Sequence, residues 1–227
     1  MNEKLETITI TIDGPAGAGK STVSKKLAAK LGYVYVDTGA LYRGVAYEVK
    51  KRNIDYKNES DLAGLLNILR FDCKTEKNDF RLISNGKDIS EKIRTSEISM
   101  LASAVSALPL VRSALLDIQK NIAKQYNAVF EGRDMGTVVF PDAEFKFFLT
   151  ADLDVRAKRR YMEKSLDQTR DSDDFKNIKA DMKKRDYDDS NRCDSPLKPA
   201  EDAILIDSTG LNIDQVVEKI YENLIIS

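Results

Sequence analysis

Residues 7 to 22 read Thr-Ile-Thr-Ile-Thr-Ile-Asp-Gly-Pro-Ala-Gly-Ala-Gly-Lys-Ser-Thr. The alternation of Thr and Ile up to Asp13 predicts a strand rich in β-branched residues. Gly14, Gly19, Lys20 and Ser21 then fill every fixed place of the G-x-x-x-x-G-K-[ST] phosphate loop. Such a loop must curl around a polyphosphate with its N–H groups inward, and glycine alone gives that backbone its freedom and close approach. Farther on, Val23, Leu27, Ala28 and Leu31 recur at helical spacing, and Gly32 stands where a helix C-cap belongs. Strand, Gly-rich turn and helix together predict a nucleoside triphosphate wrapped by Gly14, Pro15, Ala16, Gly17, Ala18, Gly19, Lys20, Ser21 and Thr22. Lys20 is expected on the β/γ-phosphates, and the Ser21 hydroxyl on Mg²⁺. The positive end of the following helix faces the same anion.

Working outward, five short apolar stretches read as strands: 7–13, 33–37, 128–131, 145–150 and 203–207. Helical segments separate them, including 96–126 and a closing helix over 213–226. In the closing helix Ile213, Val216, Val217, Ile220 and Leu224 line one face. Strands alternating with helices predict a parallel sheet covered on both faces, a three-layer α/β/α arrangement. Ligands of such sheets bind at the carboxyl ends of the strands. Asp37, Gly132, Arg133 and Asp134 each follow a strand and so share the rim of the phosphate loop. Two stretches interrupt the alternation. Residues 71–90 surround Asn85-Gly86, a hairpin signal, and read as a small β insertion. Residues 154–192 carry dense mixed charge with few apolar positions (Tyr161, Met162, Leu166, Phe175, Ile178, Met182). They form either helices covering the triphosphate or a plain exposed helical hairpin.

The 227-residue chain carries 36 Lys+Arg against 37 Asp+Glu, a net charge of −1, so no general nucleic-acid-binding surface is indicated. It has no histidine, which excludes Ser-His-Asp triads and His-ligated metals. Phosphoryl transfer needs none, because positioning and charge neutralisation carry it. Cys73 and Cys193 lack metal-ligand or C-x-x-C spacing. The N-terminus runs through Glu3, Lys4 and Glu6 into a strand with no apolar leader, and no apolar run reaches a membrane-span length. A soluble cytoplasmic protein is the expectation. GTPases carry N-K-x-D for guanine, and that motif is absent here.

Nearly the whole chain resembles bacterial cytidylate kinases, nucleoside-monophosphate kinases of the phosphate-loop NTPase class. The resemblance lies in Gly14–Thr22, in Asp37-Thr38-Gly39-Ala40-Leu41-Tyr42-Arg43 and in Ile93-Arg94-Thr95. It continues in Glu131-Gly132-Arg133-Asp134-Met135-Gly136-Thr137-Val138-Val139-Phe140-Pro141, in Arg185-Asp186 through Arg192, and in Asp202-Ala203 to Ser208-Thr209. It implies a five-stranded parallel core (1–70, 96–153 and 193–227), a monophosphate-binding insertion of about 71–95, and a helical lid of about 154–192. It also implies transfer of phosphate from ATP to CMP or dCMP with Mg²⁺, by a monomer.

Residue roles carry over by motif position. Arg43 and Arg133 would grip the acceptor phosphate, and Arg43 has a surface, snorkelling alternative. Cytosine would be read by Ser103, Arg112 and Asp134, an acceptor and donors matching its edge. Ser103 has the alternative of a helix-face serine. Arg185 and Arg192 would reach phosphates and Asp189 the sugar hydroxyls, against the alternative of a charged exposed helix. Asp37 has two readings: orienting a metal-bound water, or capping the helix after it. Arg156, Arg159, Arg160 and Arg170 are candidate lid arginines. Rival readings are a small kinase for another acceptor and a non-catalytic ATP-binding module.

Overall fold

In a computed structural model, residues 7–76, 79–165 and 173–225 are described. Five strands build the main sheet: β1 (Thr9–Asp13), β2 (Val34–Asp37), β6 (Ala128–Gly132), β7 (Phe145–Thr150) and β8 (Ile204–Asp207). Their order is β2-β6-β1-β7-β8, and every pairing is parallel. All five residues of β1 are buried, as expected where helices cover both faces of a central strand. The edge strand β8 differs. Leu205 there is 64% exposed, so the apolar run over 203–207 marks an edge rather than an interior strand. The parallel sheet bears out the three-layer expectation, with β6 and β7 starting where the apolar pattern places them and β1, β2 and β8 one or two residues later.

Helix α1 (Lys20–Leu31) ends on Gly32 in the left-handed region, where its N–H closes back on the Ala28 and Ala29 carbonyls. Helix α2 (Thr38–Lys51) starts on Asp37, and α3 (Glu59–Ile68) follows. Next comes the β insertion: β3 (Phe71–Glu76), β4 (Asp79–Ser84) and β5 (Lys87–Asp88) form a separate antiparallel sheet. Asn85 and Gly86 take φ of 47° and 77°, the two positive values that a tight hairpin turn demands. The insertion is tied to α2 through a buried carboxylate. Glu48, with a fully buried side chain, accepts from the Ser84 hydroxyl at 2.9 Å and from Arg52 Nε at 2.9 Å.

The helical segment over 96–126 is two helices, α4 (Ser96–Val105) and α5 (Pro109–Ala123), set at 101° to each other. Proline explains the break. Pro109 lacks an N–H and restricts Leu108, which adopts an extended conformation, and the ring opens the next helix at its first position. Helices α6 (Leu153–Ser165) and α7 (Asp173–Ser190) meet in a small apolar cluster of Ala157, Ile178 and Met182, which Ala16 of the phosphate loop also touches. Tyr161 and Phe175 close it edge to face, whereas Met162 is 55% exposed. Leu166 and Arg170 lie outside the described residues. Helix α8 (Ile213–Ile225) buries Val216, Val217 and Ile220, while Ile213 stays exposed; Ile226 lies outside the described residues. Among the described residues no single helix is long and apolar enough to cross a membrane. Both cysteines are free.

Candidate active site

The phosphate loop leaves β1 at Gly14, whose φ is 145°; a Cβ there would stand 1.9 Å from the Leu149 carbonyl oxygen. Only glycine lets the loop cross β7 this closely. Gly19, at φ 94°, starts α1 with no side-chain cap, so the first N–H groups of that helix remain for an anion. Lys20 lies back across the loop and donates to the Pro15 carbonyl at 2.8 Å. Burial, followed by the charge of Arg133, pulls its ammonium well below the usual lysine range.

Beside Lys20, at the end of β6, sits Glu131. Its Oε1 accepts from the Ser21 hydroxyl at 2.8 Å and from the Tyr35 phenol at 2.7 Å. Its Oε2 is buried with no partner among the described residues. Burial, then Asp37, pushes the carboxyl up. Asp13, at the end of β1, is also buried. It accepts from the Met135 N–H at 2.9 Å and the Gly136 N–H at 2.8 Å. Burial raises its pKa to about 6 despite those two donors. The two bonds fix the start of a wide turn over Met135–Val139, whose Val139 and Phe140 N–H groups reach back five residues.

Cations enter this rim from several elements. Arg43 of α2 donates to Asp37 Oδ2 at 2.7 Å, and its Nε is buried without a partner among the described residues. Arg133 Nε donates to Asp189 Oδ2 at 3.0 Å, and Arg192 pairs with the other oxygen of the same carboxylate. Arg185 makes no hydrogen bond or ion pair among the described residues. Enclosure of its guanidinium, then Arg133, lowers its pKa to about 10, although the residue as a whole is exposed. Arg43 and Arg192 act on it in the same sense. Lys20, Arg43, Arg133, Arg185 and Arg192 therefore form one cluster of cations, which Asp37, Asp189 and Glu131 balance only in part. Next to it Arg112 pairs with Asp134, its guanidinium 5.7 Å over the Tyr42 ring. Burial raises the Asp134 carboxyl, with Arg112 opposing.

A family model for cytidylate kinase matches residues 10–225. The chain belongs to the cytidylate kinase family. A cytidylate kinase of Clostridium tetani is 47% identical over 213 residues, covering 94% of this chain and 92% of the relative. One of Caldicellulosiruptor bescii is 45% identical, covering 96% of each. In fold alone, the chain is similar to a crystal structure of an uncharacterized protein from Eubacterium ventriosum. That structure is 16% identical, with a TM-score of 0.52, and covers 96% of this chain and 98% of the other.

Of the residues that the family motifs single out, the structure joins Arg112 directly to Asp134, and both Arg133 and Arg192 to Asp189. Ser103 connects only through its backbone carbonyl, which accepts from the Ser106 hydroxyl; the Ser106 carbonyl in turn accepts from Arg112. Asp37 takes the capping geometry: one oxygen accepts from the Ala40 N–H at 2.9 Å, while the other holds Arg43. Asp189 is buried with an arginine on each oxygen. Three lid arginines have partners within the protein. Arg156 is buried, bridging the Ala16 carbonyl and Asp186; Arg159 holds Ser208; Arg160 pairs with Glu163. Glu131, Asp13 and Tyr35 are the site residues that the sequence reading left unassigned. A carboxylate closing a central apolar strand is the one signal that pointed to Glu131.

Proposed function

We propose that this protein transfers the γ-phosphoryl group of ATP in line to CMP and dCMP, giving CDP and dCDP. The observation that carries the reading is the cation cluster with the Arg112–Asp134 pair beside it. Five positive groups share one rim, and their charges press down the pKa of Lys20 and of Arg185, where two polyanions must be brought together. The acceptor phosphate of a nucleoside monophosphate already bears anionic oxygens near neutral pH, so no strong general base is required. The protein's task is alignment and stabilisation of charge on the transferring group.

In this reading residues 14–22 and Lys20 hold ATP. Arg43, Arg133, Arg185 and Arg192 hold the acceptor and transferring phosphates, and Asp189 positions Arg133 and Arg192. Asp134 accepts from the cytosine amine, and Arg112 with Ser103 donates to its ring nitrogen and carbonyl. The corresponding division of the chain is a core, an acceptor-binding insertion over 71–95 and a cover over 154–192. Mg²⁺ fits the donors present. The Ser21 hydroxyl gives its one proton to Glu131, which leaves its lone pairs for a cation, and Glu131 Oε2 is an orphaned buried acceptor. No group of three or more acidic, Cys or His side chains converges among the described residues. That suits Mg²⁺, which takes one or two protein ligands and completes its shell with phosphates and water. When bound, it neutralises charge on the β- and γ-phosphate oxygens.

Coupled ADP release with CMP, dCMP, UMP, AMP and shikimate, each with and without Mg²⁺, tests the reading. Fastest turnover with CMP and dCMP is expected; preference for UMP or AMP overturns it. Asp134→Asn sharpens the test. The amide keeps one acceptor but presents an N–H where cytosine presents its own. Loss of one charge-assisted bond, worth about 1.5–3 kcal/mol, lowers kcat/KM for CMP about ten- to a hundredfold. UMP, which offers a carbonyl in place of the amine, loses less, and KM for ATP stays within about twofold. Equal losses for CMP and UMP take Asp134 out of base reading.

A further inference from the structure

Glu131 Oε1 takes two hydroxyl donors, and the reading above uses only one of them. Ser21, in the first turn of α1, supplies one at 2.8 Å; the Tyr35 phenol, from β2, supplies the other at 2.7 Å. Tyr35 is 2% exposed. A buried phenol needs an acceptor, but any carbonyl would serve. This one is aimed at the carboxylate that touches the phosphate loop.

The consequence follows from hydrogen-bond valence. A serine hydroxyl has one proton and two acceptor lone pairs. With its proton committed to Oε1, Ser21 presents acceptors only, the arrangement a cation requires. That commitment lasts while the carboxylate stays still. The terminal torsion of a glutamate is soft and roughly two-fold, so a single hydrogen bond lets its two oxygens exchange. A second donor on the same oxygen, rooted in a strand of the central sheet, removes that freedom. The Tyr35 ring is itself held edge-on by Phe80 of β4, with centroids 6.4 Å apart and planes at 78°.

We propose that Tyr35 is a positioning residue for phosphoryl transfer: its phenol locks the Glu131 carboxylate so that Ser21 receives the metal ion accompanying ATP. The inference rests on Ser21 and Glu131 as the metal-holding pair. Tyr35→Phe isolates it, because the ring and its contact with Phe80 are kept and only the hydroxyl goes. Two readouts apply: the Mg²⁺ concentration giving half-maximal kcat, and the affinity of Mn²⁺ for the protein with ATP alone, measured by electron paramagnetic resonance. In Tyr35→Phe both weaken by about five- to tenfold, less than the full effect of one lost bond to a charged group because that bond acts through Glu131, while KM for CMP moves less than about twofold. Glu131→Gln serves as the reference and weakens both readouts further. Wild-type metal affinity in Tyr35→Phe, with weakened affinity in Glu131→Gln, overturns the role of Tyr35 and leaves the metal-holding pair standing. Wild-type affinity in both variants overturns the pair and the inference together.

Discussion

Lys20→Met lowers kcat by about three orders of magnitude and leaves the free protein no less stable than the wild type. The two halves of this result have one origin. In the free protein the Lys20 ammonium is removed from water and faces Arg133 and Arg185, whose effect Glu131 and Asp13 offset only in part; among the described residues it makes one hydrogen bond, to the Pro15 carbonyl. Its folded pKa lies below the ordinary 10.5, so the folded state binds its proton less readily than the unfolded chain does. That cost is present below the folded pKa and is relieved as pH rises from there toward 10.5. Methionine matches the length of the stem without the charge, so at pH 7 thermal unfolding of Lys20→Met occurs at or above the wild-type temperature. Turnover collapses because the charge developing on the transferring phosphoryl group loses a buried cation of the phosphate loop. A variant that melts well below wild type contradicts the electrostatic account, and near-normal kcat removes Lys20 from the chemistry.

Local grammar is what made much of this molecule legible. The phosphate loop, the Gly32 cap and the Asn85-Gly86 turn are each written in adjacent residues whose backbone needs are unusual. The parallel sheet followed because strands that alternate with helices need crossover connections. Local grammar also misled at one place. Apolar periodicity continues through Leu108 and Leu110, which hid the break that Pro109 imposes between α4 and α5.

The unassigned site residues failed to show for a different reason: their partners are far along the chain. Glu131 meets Ser21 across 110 residues and Tyr35 across 96, and Asp13 meets Met135 across 122. No window of sequence contains both members of such a pair. The arginines of α6 show the same limit for charge. A run of Arg156, Arg159 and Arg160 signals cations near a triphosphate, yet only Arg156 is buried on a carboxylate, Asp186, while Arg159 holds Ser208 and Arg160 pairs with Glu163 at the surface. Composition counts charges; only packing tells which of them are spent.

Arg133 is the arginine whose loss costs most. It follows β6 directly, it is the first neighbouring charge acting on both Lys20 and Arg185, and its Nε is fixed by Asp189 at 3.0 Å. That bond leaves the two terminal nitrogens of the fork for phosphate oxygens, apart from a long contact with the Gly132 carbonyl at 3.3 Å. Arg133→Ala removes about two charge-assisted bonds, roughly 3–6 kcal/mol, which predicts a fall in kcat/KM for CMP of about two to four orders of magnitude. Binding of ATP alone weakens much less. Arg133→Lys returns the charge without the planar fork, so it recovers part of the loss and leaves a deficit of at least about tenfold. Stability falls modestly, because the buried Asp189 loses one of its two arginines and keeps Arg192. Steady-state kinetics for the two variants beside the wild type, with calorimetric binding of ATP, decide the matter. Kinetics within about threefold of wild type in Arg133→Ala would show that Asp189 holds the guanidinium away from the reacting phosphates. Full recovery in Arg133→Lys would reduce its part to that of a point charge.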